Sequence, residues 1–384
     1  MVGRNLLVAV LITAILLGTL GVYLVSRGQL SSEGVTTPYV EVSPVIIKDH
    51  ANRTITIRTP PKRVVAIGPG MLRLVSYLGA VDLVVGVEEV EKSWGAVGRD
   101  YAMAYHELFK DLPVVGPGGP GKPPSPELIL SVKPDLVIMS SSYLTYVDPD
   151  KLSSEVNATV IVLDYSPVTS VDLSLFYDAL KILGKVLGRE ERATQLISYV
   201  QSLLRDLSNR TRGLSGTNLR VYVGAVSYRG AQPFTATQSP YPPLAWLGIG
   251  SIVDKLGRRG FINVDFDYLI KEDPDVVFVD EGNLNIVIQD FEKDPLKYCS
   301  LKAFRNGEVY GLIPFNYYHS NIATALANAY FIGKVLLPER FADIDPAKKA
   351  DEIFKVFLGK PLYQDFISGG YRGYTNLAQI FRCS

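Results

Sequence analysis

A helix–Pro-Asp–strand phrase occurs once in each half of the chain, as SPELILSVKPDLVIM (Ser125–Met139) and VDFDYLIKEDPDVVFV (Val264–Val279). In both, an acidic residue (Glu127, Asp267) stands seven positions before a Pro-Asp pair, and an apolar, β-branched run follows. Proline cannot continue a helix and disfavours helical backbone in the residue before it, so each phrase reads as helix, stop, strand. The strand runs are apolar without alternation, which suits strands buried on both faces of a parallel, helix-covered sheet. One unit per half predicts two lobes of the same design. The plainer alternative is that helix–Pro-Asp–strand is a common α/β phrase that recurs by chance.

The rest of the body follows the same grammar. RVVAI (Arg63–Ile67) ends in Gly68-Pro69-Gly70, and helical MLRLVSYLG and apolar LVVGV follow. Val160–Leu163 reads as another strand, LRVYV (Leu219–Val223) opens the second half, and Pro243–Leu256 reads as helical. Between the halves, Val171–Arg212 carries Leu173, Phe176, Leu180, Leu183 and Leu187 at helical spacing, interrupted by Gly184 and Gly188. After them Arg189–Leu207 is amphipathic, with Leu196, Tyr199, Leu203 and Leu207 on one side. As a helix it spans ~28 Å, enough for a strut between lobes.

The first residues are of a different kind. Leu6–Val25 has 20 uncharged residues, ~30 Å as a helix and enough to cross a bilayer. Arg4 and the amino terminus precede it, which predicts a cytoplasmic start and an exported body. No A-x-A-like cleavage site follows Val25, which favours a retained anchor over a cleaved signal peptide; no cysteine follows, which excludes a lipobox. The expected organisation is an anchor or signal peptide over 1–30, a polar tether over 31–44, an N-terminal lobe over 45–170, a helical linker over 171–212, and a C-terminal lobe with a helical tail over 213–384. The fold class expected is α/β, with two Rossmann-like lobes joined by a single long α-helix behind an N-terminal membrane helix. Export also gives meaning to sequons at Asn52, Asn157 and Asn209. Outside the cell Cys299 and Cys383 either pair or remain two free thiols; sequence gives no distance between them.

Several chemistries are excluded. The 39 basic residues match the 39 acidic ones, and nucleic-acid binders show a basic excess. Gly116–Lys122 (GPGGPGK) imitates a phosphate-binding loop, but Pro123 stands where Ser or Thr would hold Mg²⁺, and Pro117 and Pro120 remove cradle N–H groups. A rigid surface or cleft-edge loop is the better reading. There is no H-E-x-x-H, G-x-S-x-G or C-x-x-C motif, and no enzyme or resident cofactor is expected. The three histidines, His50, His106 and His319, are scattered, although His106 and His319 could meet across a cleft.

Ligands of open α/β lobes gather beyond the carboxyl ends of strands, so the Gly/Pro-rich loops there supply the binding candidates. The first lobe offers Gly68, Pro69, Gly70, Met71, Trp94, Arg99, Tyr101 and Tyr143. The second offers Tyr228, Arg229, Phe234, Thr235, Tyr241, Trp246, Tyr317, Tyr318 and His319. Arg is a planar cationic fork for carboxylates, and Tyr or Trp stacks on flat chelates. Arg99 and Arg229 are expected as solvent-facing loop residues from opposite lobes. Tyr317, Tyr318 and His319 could also hold bare ferric iron, but adjacent residues rarely point the same way.

KDHANRTITIRTPPKRVVAIG, LGAVDLVVGV, PELILSVKPDLVIM, GKVLGREERATQLI and NVDFDYLIKEDPDVVFV, in this order over about Val45–Phe341, resemble the solute-binding proteins of ABC importers for ferric siderophores, haem and cobalamin. LPVVGPGGPG and YYHSNIATALANAYFIGKVLLPERFADIDPAKKADEIF resemble archaeal members assigned to iron. The resemblance implies an extracytoplasmic capture protein on the outer face of the membrane, with separate permease and ATPase partners and a ferric chelate or tetrapyrrole as cargo. Family members often carry a docking Glu in the helix after the first strand; here GPGMLRLVSYLG has Arg73 and no Glu, so that role is not transferred. The competing classes are an anchored surface receptor or adhesin, and a non-transport enzyme on the same scaffold.

Overall fold

The computed structural model describes residues 44–166, 170–213 and 219–383. The expected membrane segment and nearly all of the tether lie outside them. Among the described residues no helix is long and apolar enough to cross a membrane.

After a hairpin of β1 (Val45–Lys48) and β2 (Thr54–Ile57), four strands form the first sheet: β3 (Val64–Ile67), β4 (Val84–Gly86), β5 (Leu136–Ser140) and β6 (Thr159–Leu163), all parallel, in the order β4-β3-β5-β6. The second sheet holds β7 (Val221–Gly224), β10 (Val276–Asp280) and β11 (Val309–Leu312), parallel, in the order β11-β10-β7. Between them in sequence, β8 (Ala236–Ser239) and β9 (Gly260–Asn263) pair as an antiparallel ribbon. Among the described residues no strand is shared between the two large sheets. The inner strands of the large sheets bury both faces: in β3, Val64 and Ala66 join the main core while Val65 and Ile67 join a separate cluster on the other side.

The repeated phrase does the same work twice. Pro126–Ser131 and Phe266–Glu272 are the helices, and β5 and β10 the strands. Lys133 and Asp273, just before the prolines, both turn through positive φ (47° and 41°). Asp135 then accepts from the backbone N–H of Arg63 at 3.0 Å, and Asp275 from that of Arg220 at 2.8 Å. Each Asp thus pins the entry of the neighbouring strand, β3 or β7, beside its own.

The stretch between the sheets is not one helix. Leu173–Leu187 ends at Gly188, whose φ of 63° supplies the left-handed cap that glycine adopts without strain, and Glu190–Arg210 follows. Gly184 is a contact point: a Cβ there would stand 2.8 Å from that of Ala193, so the two helices pack closely because it has none. The buried side of the second helix is Ala193, Leu196, Ile197, Val200, Leu203 and Leu207; Tyr199 is half-buried, its hydroxyl on Glu352 at 3.0 Å. The long helix expected over Pro243–Leu256 is also absent. A single turn (Pro242–Ala245) and a 3-10 turn (Asp254–Leu256) flank an irregular stretch in which Gly248 adopts φ 67°.

The C-terminal tail crosses back. Pro346–Leu358 packs on the helices Met71–Tyr77 and Asp100–Phe109 of the first lobe, with Phe357 edge-on to Tyr77 at 4.8 Å. Tyr105 of that lobe donates to the Leu358 carbonyl at 2.9 Å. Ile322–Leu336, apolar on nearly every side, runs through the shared core.

Cys299 and Cys383 form a disulfide that ties the chain's end to the second lobe, closing a separation of 84 residues. Its removal, as Cys299→Ser with Cys383→Ser, is expected to cost about 2–4 kcal/mol. A melting curve checks this: the double variant should melt several degrees lower, and an unchanged midpoint would show that the bridge constrains nothing.

Candidate functional site

The strand ends of the first lobe build a polar floor. After β3, Gly68 and Gly70 take positive φ (86° and 82°), and a Cβ on either would stand 2.7 Å or less from Ser140 or Tyr165. The turn brings the Gly68 N–H to Glu88 Oε2 at 2.8 Å. Glu88 is buried beyond β4, and also accepts from the hydroxyls of Tyr143 (Oε1) and Tyr318 (Oε2), each at 2.7 Å. Burial outweighs these three bonds and pushes its carboxyl up to about 7. Two arginines lie nearby, both without exposed surface. Arg73 Nε donates to Asp100 at 2.9 Å and its Nη1 to the Tyr165 hydroxyl at 2.8 Å. Arg99 is ion-paired with Glu91 and donates to the Gly95 carbonyl at 2.6 Å, while the Tyr101 hydroxyl also rests on Glu91.

A loop of the second lobe, residues 313–321 after β11, lies on this floor. Arg73 donates to the carbonyls of Tyr317 (2.9 Å) and Tyr318 (3.1 Å), and Tyr165 to that of Ser320 (3.0 Å). The Gly119 N–H reaches the Tyr318 hydroxyl at 3.1 Å, and Asn321 donates to the Gly98 carbonyl at 3.1 Å. Trp94 stacks on Tyr317 (6.2 Å, 20°) and meets Tyr318 edge-on (5.3 Å, 75°). Tyr318 and His319 hold φ of 50° and 81° in succession. Left-handed backbone at non-glycine residues costs of order 1–3 kcal/mol each and persists where the surroundings over-determine it. Here the Arg73 and Tyr165 bonds do so.

A family model described as "Periplasmic binding protein" matches residues 64–314. The chain belongs to the periplasmic binding protein family. The Fe(3+)-citrate-binding protein YfmC of Bacillus subtilis is 23% identical over 265 residues, 69% of this chain and 77% of YfmC. The ABC transporter substrate-binding lipoprotein YvrC of the same organism is 23% identical over 253 residues, 63% of this chain and 71% of YvrC. Among solved structures, the TroA-like periplasmic binding protein FepB of Veillonella parvula superposes with a TM-score of 0.63 at 19% identity, covering 83% of this chain and 97% of FepB. That likeness establishes the two-lobed fold.

Within this binding protein the sequence candidates divide. Gly68, Gly70, Trp94, Tyr143, Tyr317, Tyr318 and His319 converge where the lobes meet, with Pro69 in the same turn. Met71 is wholly buried in the main core, Phe234 in the second lobe's aromatic core, and Tyr241 against Phe315. Thr235 is half-buried beside β8. Tyr101 is buried with its hydroxyl committed to Glu91. Arg99 and Arg229 are not the matched, solvent-facing pair expected. Arg99 is buried because Glu91 and the Gly95 carbonyl satisfy it, whereas Arg229 is exposed over Tyr228, which stacks on Phe261 at 4.5 Å. Trp246 lines a separate 430 Å³ cavity with Asp172, Ser239, Pro240 and exposed Arg259. His319 faces Asp164 at 3.5 Å and not His106, which sits on the helix Asp100–Phe109. The GPGGPGK segment is a loop whose Gly119 N–H reaches the Tyr318 hydroxyl. Glu88, Arg73, Asp100 and Tyr165 were not among the candidates; a Glu directly after the LVVGV strand is the one signal that points to the first of them.

At the facing strand ends of the second lobe, Asp280 is buried on Ser227 and Gly282, and Glu281 on the N–H groups of Arg372 and Gly373. Burial pushes Asp280 up to about 6 and Glu281 up to about 7. Both lie above their unfolded values, so between about pH 4 and 7 the folded chain binds more protons than the unfolded one, and stability falls as pH rises through that window. The melting temperature should therefore drop between about pH 4 and 7, and Glu281→Gln should flatten that drop; an unchanged slope would contradict the assignment. Arg99→Ala leaves Glu91 buried without its cation and is expected to cost about 3–5 kcal/mol in chemical denaturation. A loss under about 1 kcal/mol would return Arg99 to the solvent-facing class.

Proposed function

We propose that the protein captures an iron-bearing chelate outside the cytoplasmic membrane and delivers it to the permease and ATPase of an ABC importer. The observation that carries this reading is the interlobe face itself. It is polar and aromatic on both sides, and the second lobe's loop touches it chiefly through hydrogen bonds and stacked rings. Such contacts part at lower cost than an apolar core, so the lobes can separate and close again on a cargo. Separation would turn two Arg73 donors, the Glu88 carboxylate and the faces of Trp94 and Tyr317 toward the opening. Cationic, hard-oxygen and aromatic groups together suit an anionic metal chelate. The kinship with a protein named for Fe(3+)-citrate supports iron as the metal.

The remaining features agree with that place and role. The helix Glu190–Arg210 serves as the strut between lobes, Leu6–Val25 holds the protein at the membrane, and the disulfide suits an oxidising exterior. Asn52, Asn157 and Asn209 are all exposed and open to glycan. The protein acts by binding, with no covalent step.

Calorimetry with ferric citrate, ferric siderophores, haem and cobalamin is the test. Binding of at least one iron complex is expected, without ATP hydrolysis; binding of only sugars, peptides or amino acids would reject the cargo class. Trp94 is 38% exposed, so Trp94→Ala should weaken cargo binding without a large fall in melting temperature, by about tenfold or ~1.4 kcal/mol. Unchanged affinity would remove this face from the site.

A further inference from the structure

We propose that Glu281 clasps a C-terminal strap, residues 369–377, across the face where the lobes meet, and that this clasp restrains their opening. The inference goes beyond the capture reading. It concerns the protein without cargo and is independent of what the cargo is.

The strap changes lobes from one residue to the next. On the first-lobe side, Gly369 lies so close on Val97 that an added Cβ would stand 2.5 Å from Val97 Cγ1. Gly98 is pressed in the same way: a Cβ there would stand 2.7 Å from the Tyr371 hydroxyl and 2.9 Å from the Tyr317 ring. On the second-lobe side, the backbone N–H groups of Arg372 and Gly373 donate to Glu281 Oε2 at 2.5 and 3.3 Å. Tyr371 thus rests on the first lobe beside Tyr317, while its neighbour is bonded at the end of β10.

Both ends of the strap are anchored. Upstream, Phe366 packs on Phe354 of the tail helix Pro346–Leu358, which leans on the first lobe, and Lys360 donates to the Ala104 carbonyl. Downstream, the chain runs antiparallel beside β11. The Gly311 N–H donates to the Thr375 carbonyl at 3.0 Å, and the Leu377 N–H to the Val309 carbonyl at 2.7 Å. The disulfide at Cys383 fixes the chain beyond. Only exposed Gly370, at φ 108°, separates Gly369 from Tyr371. With so little slack, the lobes part here only if Gly369 and Tyr371 leave the 97–98 segment or residues 372–373 leave Glu281.

The clasp is shaped to hold and able to let go. Gly311 leaves the carboxylate its room, since a Cβ there would stand 2.1 Å from Glu281 Oε1. Gly373 bends through φ 72°, and a Cβ on it would stand 2.5 Å from the Tyr363 hydroxyl. Among the described residues, buried Glu281 is met only by the two backbone N–H groups, and its Oε1 has no donor. Burying a carboxylate without a cation is costly, so desolvation offsets much of what the two bonds contribute. Release returns both oxygens to water. Such a fastening is reversible, whereas the pairing beside β11 and the disulfide keep the strap on its own lobe.

Hydrogen–deuterium exchange of the full-length protein without cargo is the test, on the wild type, Glu281→Ala, Glu281→Gln and Gly369→Val. Glu281→Ala removes the clasp on the second lobe. Gly369→Val wedges the strap off the first lobe without touching a carboxylate. Both should speed exchange of the 95–99 and 316–321 loops by at least about tenfold, while β5 and β10 exchange as in the wild type. Glu281→Gln keeps an acceptor oxygen for the two N–H groups and should stay closer to the wild type than Glu281→Ala. Melting curves show that each variant is folded. Unchanged loops in both disruptive variants overturn the strap. It is overturned equally if Glu281→Ala speeds β10 as much as the loops and Gly369→Val changes nothing, because the carboxylate then only supports its own sheet. Either failure leaves cargo binding in calorimetry, and with it the proposed function, standing.

Discussion

A cation with no access to water has to find all its partners inside the protein, and Arg73 sets the terms for this one. Its guanidinium is neutralised by Asp100, steadied by Tyr165, and completed by two carbonyl oxygens that belong to the other lobe. The first lobe alone therefore leaves a buried cation with unfilled donors. Only the loop after β11 fills them, and it does so with its backbone in the left-handed region at Tyr318 and His319. The fit of that loop fixes where Tyr318 enters, and hence how Glu88 is covered. The interface is built around polar demand, which water or an anionic cargo can also meet when the lobes part.

What keeps the lobes in register lies behind this face. Leu173–Leu187 and Glu190–Arg210 pack closely across Gly184, and the tail helix Pro346–Leu358 leans on the first lobe's helices. Arg192 of the long helix donates to the carbonyls of Tyr77 and Phe357, linking linker, lobe and tail at one point. A hinge braced in this way permits small movements at the front and resists large ones at the back.

The sheets were legible because their cause is local. Pro134-Asp135 and Pro274-Asp275 carry the helix stop and the strand entry in their own residues, and apolar runs without alternation can only be buried on both faces. The break at Gly188 was visible as a glycine, but whether it kinks or ends a helix depends on what packs behind Gly184. Aromatic residues of the site could be found because Gly/Pro-rich loops after strands advertise themselves. Arg99 could not be placed from sequence, since its burial depends on Glu91 and the Gly95 carbonyl, joined only after the 90–99 segment folds. Glu88 and Arg73 escaped for the same reason: a charged residue next to a strand or in a short helix reads as surface unless its partners, here from 27 to 245 positions away in the case of Arg73, are known.

The proposed capture surface lies where residues 316–321 meet the first lobe. Hydrogen–deuterium exchange of the protein with and without ferric cargo tests it directly. Cargo should slow exchange in the 316–321 loop and in the facing 116–122 loop, with the linker helices unchanged. Protection that appears elsewhere, for instance only around Trp246 and Arg259, while both loops exchange as before, would contradict it.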